Sequence, residues 1–172
     1  PVTGSGGMLI GKVVQVGPGF PTGEKPVKVG DRIATLVSLS LTPLEIRKVV
    51  AIHPKIDRVD IEGHAILFAT GLFARLPTDI PDKVALAVLD VAGAPAQTRN
   101  LVKDGDTVVI VGGGGKSGVL CAYEAKKKKH VKTIAIDYSD AAIARLKSLS
   151  FFDHVIQGDA RNAVAVFEKI RE

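Results

Sequence analysis

The sequence predicts an α/β chain in which a small β domain, part of a barrel, precedes a doubly wound parallel sheet. Three observations carry that reading. Residues 1 to 76 break into short β-branched runs punctuated by Gly and Pro. Residues 107 to 157 alternate apolar strands with helical patterns, and the glycine run Gly112 to Gly115 joins the first of those strands to its helix.

In the first half, Met8 to Val16 is β-branched and ends at Gly17-Pro18-Gly19 and Pro21 to Gly23, which are turn chemistry. Val29-Gly30-Asp31-Arg32-Ile33 reads as a tight turn feeding a strand. Further strands are expected at Ile46–Ile52, Val59–Ile61, Ala65–Phe68 and Phe73–Leu76, the spacing of a small barrel. The pattern changes at Leu76-Pro77. Asp82 to Ala92 places Val84, Leu86, Val88 and Leu89 at helical spacing, with Gly93 and Pro95 as its stop. Then come a strand (Thr107–Val111), a helix (Val119–Lys128), a strand (Thr133–Ile136), a helix (Asp140–Leu149), a strand (His154–Gln157) and a last helix from near Arg161. Strands apolar throughout belong in a parallel sheet covered on both faces. Domains are expected at residues 1–80 and 81–172. The chain begins at Pro1 and ends at Glu172 inside a helix-like stretch, so it is expected to be a piece truncated at both ends.

Composition narrows the classes. Of 172 residues, 46% are hydrophobic and 24% charged, ordinary for a globular domain. No run approaches the roughly 18 apolar residues of a membrane span, so no membrane partner is expected. The lone Cys121 excludes an internal disulfide and a thiolate zinc cage, and it reads as packed core behind the glycine loop. A cytoplasmic setting follows. The net charge of +5 comes largely from Lys126 to Lys129 beside His130. Lysines at a helix C-terminus complement the helix dipole, and no aromatic residues are interleaved to stack bases, so no nucleic-acid partner is expected.

The chemistry concentrates in Gly112-Gly113-Gly114-Gly115-Lys116-Ser117-Gly118. Gly113, Gly115 and Gly118 fit G-x-G-x-x-G, and Gly112, Gly115 and Gly118 fit a wider frame. Such a turn needs a tight bend, close backbone approach to a pyrophosphate and close helix–strand packing, and the helix N-terminus offers free N–H groups to phosphate. Lys116 and Ser117 add a charge and a hydroxyl. A phosphate-binding P-loop would require glycine where Ile110 stands, so that frame fails. Asp137 ends the next strand, where an acid grips the adenosine ribose hydroxyls, and Tyr138 adjoins it. A further phosphate about 5 Å from that carboxylate would cost roughly 3 kcal/mol at an effective dielectric of about 20. No arginine follows in Tyr138-Ser139-Asp140, so the expected cofactor is NAD rather than NADP.

A β domain carrying Val16-Gly17-Pro18-Gly19 and Val29 to Ile33, ahead of this nucleotide half, resembles the medium-chain dehydrogenases. The resemblance implies a GroES-like barrel followed by a Rossmann domain. Longer strings resemble the L-erythro-3,5-diaminohexanoate dehydrogenase family: Pro1 to Gly11, Ala34 to Leu44, Leu89 to Thr98, and Gly115 to Gly118 running into Cys121 to Lys127. That implies NAD-dependent oxidation of the C3 amine to 5-amino-3-oxohexanoate and ammonia in lysine fermentation, a small amino acid substrate and a homo-oligomer. It also implies that Leu89 to Ala96 runs beside the nicotinamide. Asp90 is then the tentative base or ammonium ligand, with a plain helix-facing acid the equal alternative. Thr3, Ser5 and Thr42 are weaker pocket candidates. The Gly-His-Glu signature of zinc-dependent relatives is absent, with Thr3 to Gly7 in the matching region. His53, His64, His130 and His154 lack ligand spacing, so no metal is expected. Two other readings fit the same residues: an NAD(P)-dependent enzyme for another small amino or hydroxy acid, and a non-catalytic NAD-binding module.

Overall fold

The computed structural model describes residues 7–20, 26–37 and 42–171. The chain divides into two units, Pro1–Leu86 and Ala87–Glu172.

In the first unit, β1 (Gly7–Lys12) and β5 (Phe73–Arg75) flank β2 (Arg32–Val37), all antiparallel, and β3 (Leu44–His53) pairs β4 (Arg58–Ala65) in a separate two-stranded sheet. The turn before β2 forms as its residues dictate: Gly30 takes φ +97° and Asp31 accepts the Lys28 N–H at 2.9 Å. Thr35, buried, donates its hydroxyl to the Leu72 carbonyl at 2.8 Å. Of the strand expected at Ala65–Phe68 only Ala65 lies in a strand, as the end of β4, and the next N–H, of Ile66, donates to the Pro43 carbonyl at 3.0 Å.

α1 (Asp82–Leu89) ends before the expected Gly93-Pro95 stop, and those two residues open a second helix, α2 (Gly93–Leu101). Pro95 lies in its first turn, where backbone N–H groups have no intrahelical acceptor and a missing one costs nothing.

The second unit is built on three parallel strands in the order β6 (Thr107–Val111), β7 (Lys132–Asp137), β8 (His154–Gln157). α3 (Lys116–Ala125) and α4 (Asp140–Lys147) are the crossovers, and α5 (Ala163–Arg171) follows β8. Ser139 caps α4 by accepting the Ala142 N–H at 3.2 Å. The core gathers around β7 and α4, where Ala135, Ile143 and Leu146 are buried and Phe152 and Val155 pack against them. Thr133, fully buried, donates to the Phe151 carbonyl at 2.8 Å. Asp153 ties the opposite end of the sheet, accepting from the Thr133 N–H at 2.6 Å and from Lys126 Nζ at 2.6 Å. That bond absorbs the first lysine of the basic run. Lys127 pairs with Glu124 at 2.6 Å and lies 4.6 Å from the Tyr123 ring centroid.

Candidate dinucleotide site

The site grows from the turn between β6 and α3. β6 ends at Val111, and Gly112 then adopts φ +72°, a left-handed conformation that L side chains rarely take. The N–H groups of Gly112 and Gly113 both donate to the Ile136 carbonyl, at 2.9 and 3.1 Å, which pins the turn to the end of β7. Gly115 caps α3 without a side-chain acceptor, and its own N–H is taken by the Gly112 carbonyl at 3.0 Å. The first helical N–H groups, of Lys116, Ser117 and Gly118, have no carbonyl one turn earlier within the helix and face outward from its positive end.

Close packing explains the glycine that ends the fingerprint. A Cβ at Gly118 would stand 2.6 Å from the Gly112 carbonyl oxygen and 2.7 Å from Gly113 Cα, so any side chain there would push helix and turn apart. These residues fit a dinucleotide: a bent backbone, an uncapped helix N-terminus, and a cradle that a Cβ would fill.

Asp137 ends β7 with both oxygens placed. Oδ2 accepts the Gly114 N–H at 3.0 Å, and Oδ1 accepts the Tyr138 N–H at 2.9 Å. An ionised carboxylate has lone pairs left over for two hydroxyls after these bonds. Tyr138, 73% exposed, stands beside it, and Gln157 braces the segment by donating to the Tyr138 carbonyl at 3.2 Å and to Asp140 Oδ1 at 2.7 Å. An open cleft of about 430 Å³ runs along the carboxyl ends of all three strands, lined by Gly112, Asp137, Tyr138, Asp159 and Arg161 among others. Ligands of open α/β sheets bind at this end. Arg161 forks onto Asp159 at 2.6 and 3.0 Å and holds its carboxyl down at about 2.

The structure thus brings Gly112, Gly113, Gly115, Lys116, Ser117, Gly118, Asp137 and Tyr138 to one end of one sheet. Asp90 lies 3.7 Å from Lys116, both side chains exposed. Thr42 stands two residues before β3 in the first unit, while Thr3 and Ser5 fall outside the described residues. Cys121 is half-buried on α3. His53 meets Asp60 at 3.0 Å, His64 lies 3.6 Å from Glu45, and His130 and His154 are exposed. Among the described residues no cluster of three or more His, Cys, Asp or Glu could hold a metal ion. No described helix is long and apolar enough to cross a membrane. The fingerprint omits three residues of the site: Gly114, Arg145 (which donates to the Gly114 carbonyl at 2.6 Å) and Gln157.

These features are those of an α/β chain of medium-chain dehydrogenase type. The same architecture recurs in the crystal structure of AibC, at TM-score 0.58 and 26% identity over 87% of this chain and 46% of that one. It recurs in Escherichia coli quinone oxidoreductase complexed with NADPH, at TM-score 0.61 and 21% identity over 97% and 44%. Residues 1–77 match the family model for the L-erythro-3,5-diaminohexanoate dehydrogenase N-terminal domain. The chain is 52% identical over 170 residues to the L-erythro-3,5-diaminohexanoate dehydrogenase of Acetoanaerobium sticklandii, covering 98% of this chain and 49% of that protein. Its identity to the Fusobacterium nucleatum protein of the same name is 51%, over 100% of this chain and 50% of that one. The chain is similar to these L-erythro-3,5-diaminohexanoate dehydrogenases along its whole length and spans about half the length of these curated relatives.

Proposed function

We propose that this chain supplies the cofactor site of a cytoplasmic, NAD-dependent dehydrogenase that oxidises L-erythro-3,5-diaminohexanoate at C3, yielding 5-amino-3-oxohexanoate and ammonia in lysine fermentation. The observation that carries the reading is the doubly hydrogen-bonded Asp137 beside the Gly112–Gly118 turn, in a chain 52% identical to a protein of that name. A bound nicotinamide dinucleotide supplies the hydride acceptor. Water replaces nitrogen at C3, so one substrate, one NAD and one water give the ketone, ammonium, NADH and a proton.

The residues in hand do the holding. The N–H groups at the start of α3 receive the pyrophosphate, with Lys116 and Ser117 beside them. Asp137 receives the ribose hydroxyls and Tyr138 flanks them. Loss of the 2′-hydroxyl to a phosphate would set two anions about 5 Å apart, costing roughly 3 kcal/mol at an effective dielectric of about 20, so NAD is preferred. The side-chain bonds of Arg145 and Arg161 go to the Gly114 carbonyl and the Asp159 carboxylate, so neither guanidinium is paired with Asp137.

The test is NADH formation, followed by absorbance, from the full-length protein with NAD and the diamino acid. An Asp137→Ala variant should turn over with KM for NAD raised about 10- to 100-fold, the worth of hydrogen bonds to a charged group, and kcat changed far less. Absence of turnover in the wild type would reject the substrate assignment, and an unchanged KM for NAD in the variant would reject the site.

A further inference from the structure

The Gly114 peptide is held from both sides, and the two holders come from different elements. Its N–H donates to Asp137 Oδ2 at 3.0 Å, at the end of β7. Its carbonyl accepts from Arg145 Nη1 at 2.6 Å, from α4. A second observation is independent of these bonds. A Cβ on Gly114 would stand 2.7 Å from Ala142 Cβ and 3.1 Å from Asp137 Oδ2. Ala142 and Arg145 lie three positions apart, on one face of α4. That face therefore closes on the glycine loop by contact at Ala142 and by a charge-assisted hydrogen bond at Arg145.

Gly114 fills a variable position of the G-x-G-x-x-G frame read from Gly113, so phosphate approach does not require glycine there. What requires it is α4 and the acid. An arginine in the last turn of a helix ordinarily serves its own terminal carbonyls. Arg145 sits in that turn of α4, yet its guanidinium reaches across to the loop.

We propose that Arg145 is a positioning residue that locks the glycine loop onto Asp137 through the Gly114 peptide, so that the carboxylate is oriented for the cofactor ribose before the cofactor arrives. The inference rests on the dinucleotide reading above. Without Arg145 the Gly114 peptide is free to tilt, Oδ2 loses its N–H partner, and the carboxylate rotates about χ2. Lys116, Ser117 and the α3 N-terminus are untouched by that change.

The experiment is a double-mutant cycle on the full-length protein, read as the Kd for NAD by titration calorimetry, with the Tm of each variant recorded. Arg145→Ala should weaken NAD about 10-fold in the wild-type background, as expected for one charge-assisted hydrogen bond. In an Asp137→Ala background the same change should weaken it less than about 2-fold, because the group it positions is gone. Arg145→Lys should recover part of the loss. Equal losses in both backgrounds, or none in either, would overturn the proposal. Arg145→Met, which keeps the length of the side chain without its donors, runs the same cycle if Arg145→Ala does not fold, with the same two expectations. Failure of the wild type to bind NAD would instead reject the dinucleotide reading, a result visible before any variant is made.

Discussion

β3 and β7 have comparably apolar sequences and opposite surroundings. Along β7, Thr133, Ile134, Ala135 and Ile136 are all buried, at 0 to 8% exposure. Along β3, Ile46, Val49, Val50 and Ile52 are 49 to 65% exposed. β7 is the middle strand of its sheet, paired on both edges and crossed by α3 and α4, while among the described residues β3 pairs with β4 alone. Hydrophobicity of a strand therefore does not set its burial; the number of layers and edges around it does. The candidate site follows the same rule. The acid at the end of the doubly paired strand is fixed by two backbone N–H groups.

The sharpest way to break this comparison is to truncate one side chain in each region. Leu146 is fully buried against Ala135 and Ile143, so Leu146→Ala should cost about 2–5 kcal/mol through lost burial and the cavity left behind. Ile52 is 65% exposed, and Ile52→Ala should cost less than about 1 kcal/mol. Chemical denaturation of the two variants in parallel checks the ranking. Equal losses would mean that β3 is buried in the folded protein to the extent β7 is.

A smaller effect separates the two ends of the parallel sheet by pH. Burial raises the Asp153 carboxyl, but hydrogen bonds from Lys126 and Thr133 outweigh it and leave the group below its ordinary 3.8. A group depressed on folding contributes stability that is present above its unfolded pKa and lost as pH falls through the folded one. Asp153→Asn should therefore lower the Tm at pH 7, and the gap to the wild type should close as pH falls below 3.8. Thermal melts between pH 2 and pH 7 measure it, and a gap constant with pH would show that the Lys126–Asp153 pair adds nothing.

Legibility divides along the same line. Thr107–Val111 and His154–Gln157 are strands with the limits that their apolar runs suggest, because turn-forming residues bound them, Asp106 and Gly112 for the first and Asp153 and Gly158 for the second. The place of Asp137 at the end of β7 was readable because it directly follows the apolar run Ile134 to Ile136. α2 was not, because Gly93 and Pro95 look like a helix stop in sequence and act as a helix start in the fold. α3 starts at Lys116 rather than Val119, since Gly118 hides a helical first turn behind low propensity. Gly114 and Arg145 carry no local signature, because their roles exist only once α4 has folded back over the loop.

The smallest effect concerns Asp90, whose nearest charged partner is Lys116 at 3.7 Å. A lysine at the first position of a helix opposes the helix dipole, so Lys116 is poorly placed unless an anion stands nearby. Asp90 supplies one in the free protein, and a pyrophosphate at the α3 N-terminus would replace it. The two side chains are 60% and 53% exposed, which makes the pair weak and readily exchanged. Asp90→Asn should then shift the Tm by no more than about 2 °C and tighten NAD slightly, about 2-fold, because Lys116 no longer leaves a partner to meet phosphate. Lys116→Met should weaken NAD by a comparable factor in the opposite direction. A drop in kcat of about 100-fold or more in Asp90→Asn, with NAD affinity unchanged, would assign Asp90 to proton transfer instead.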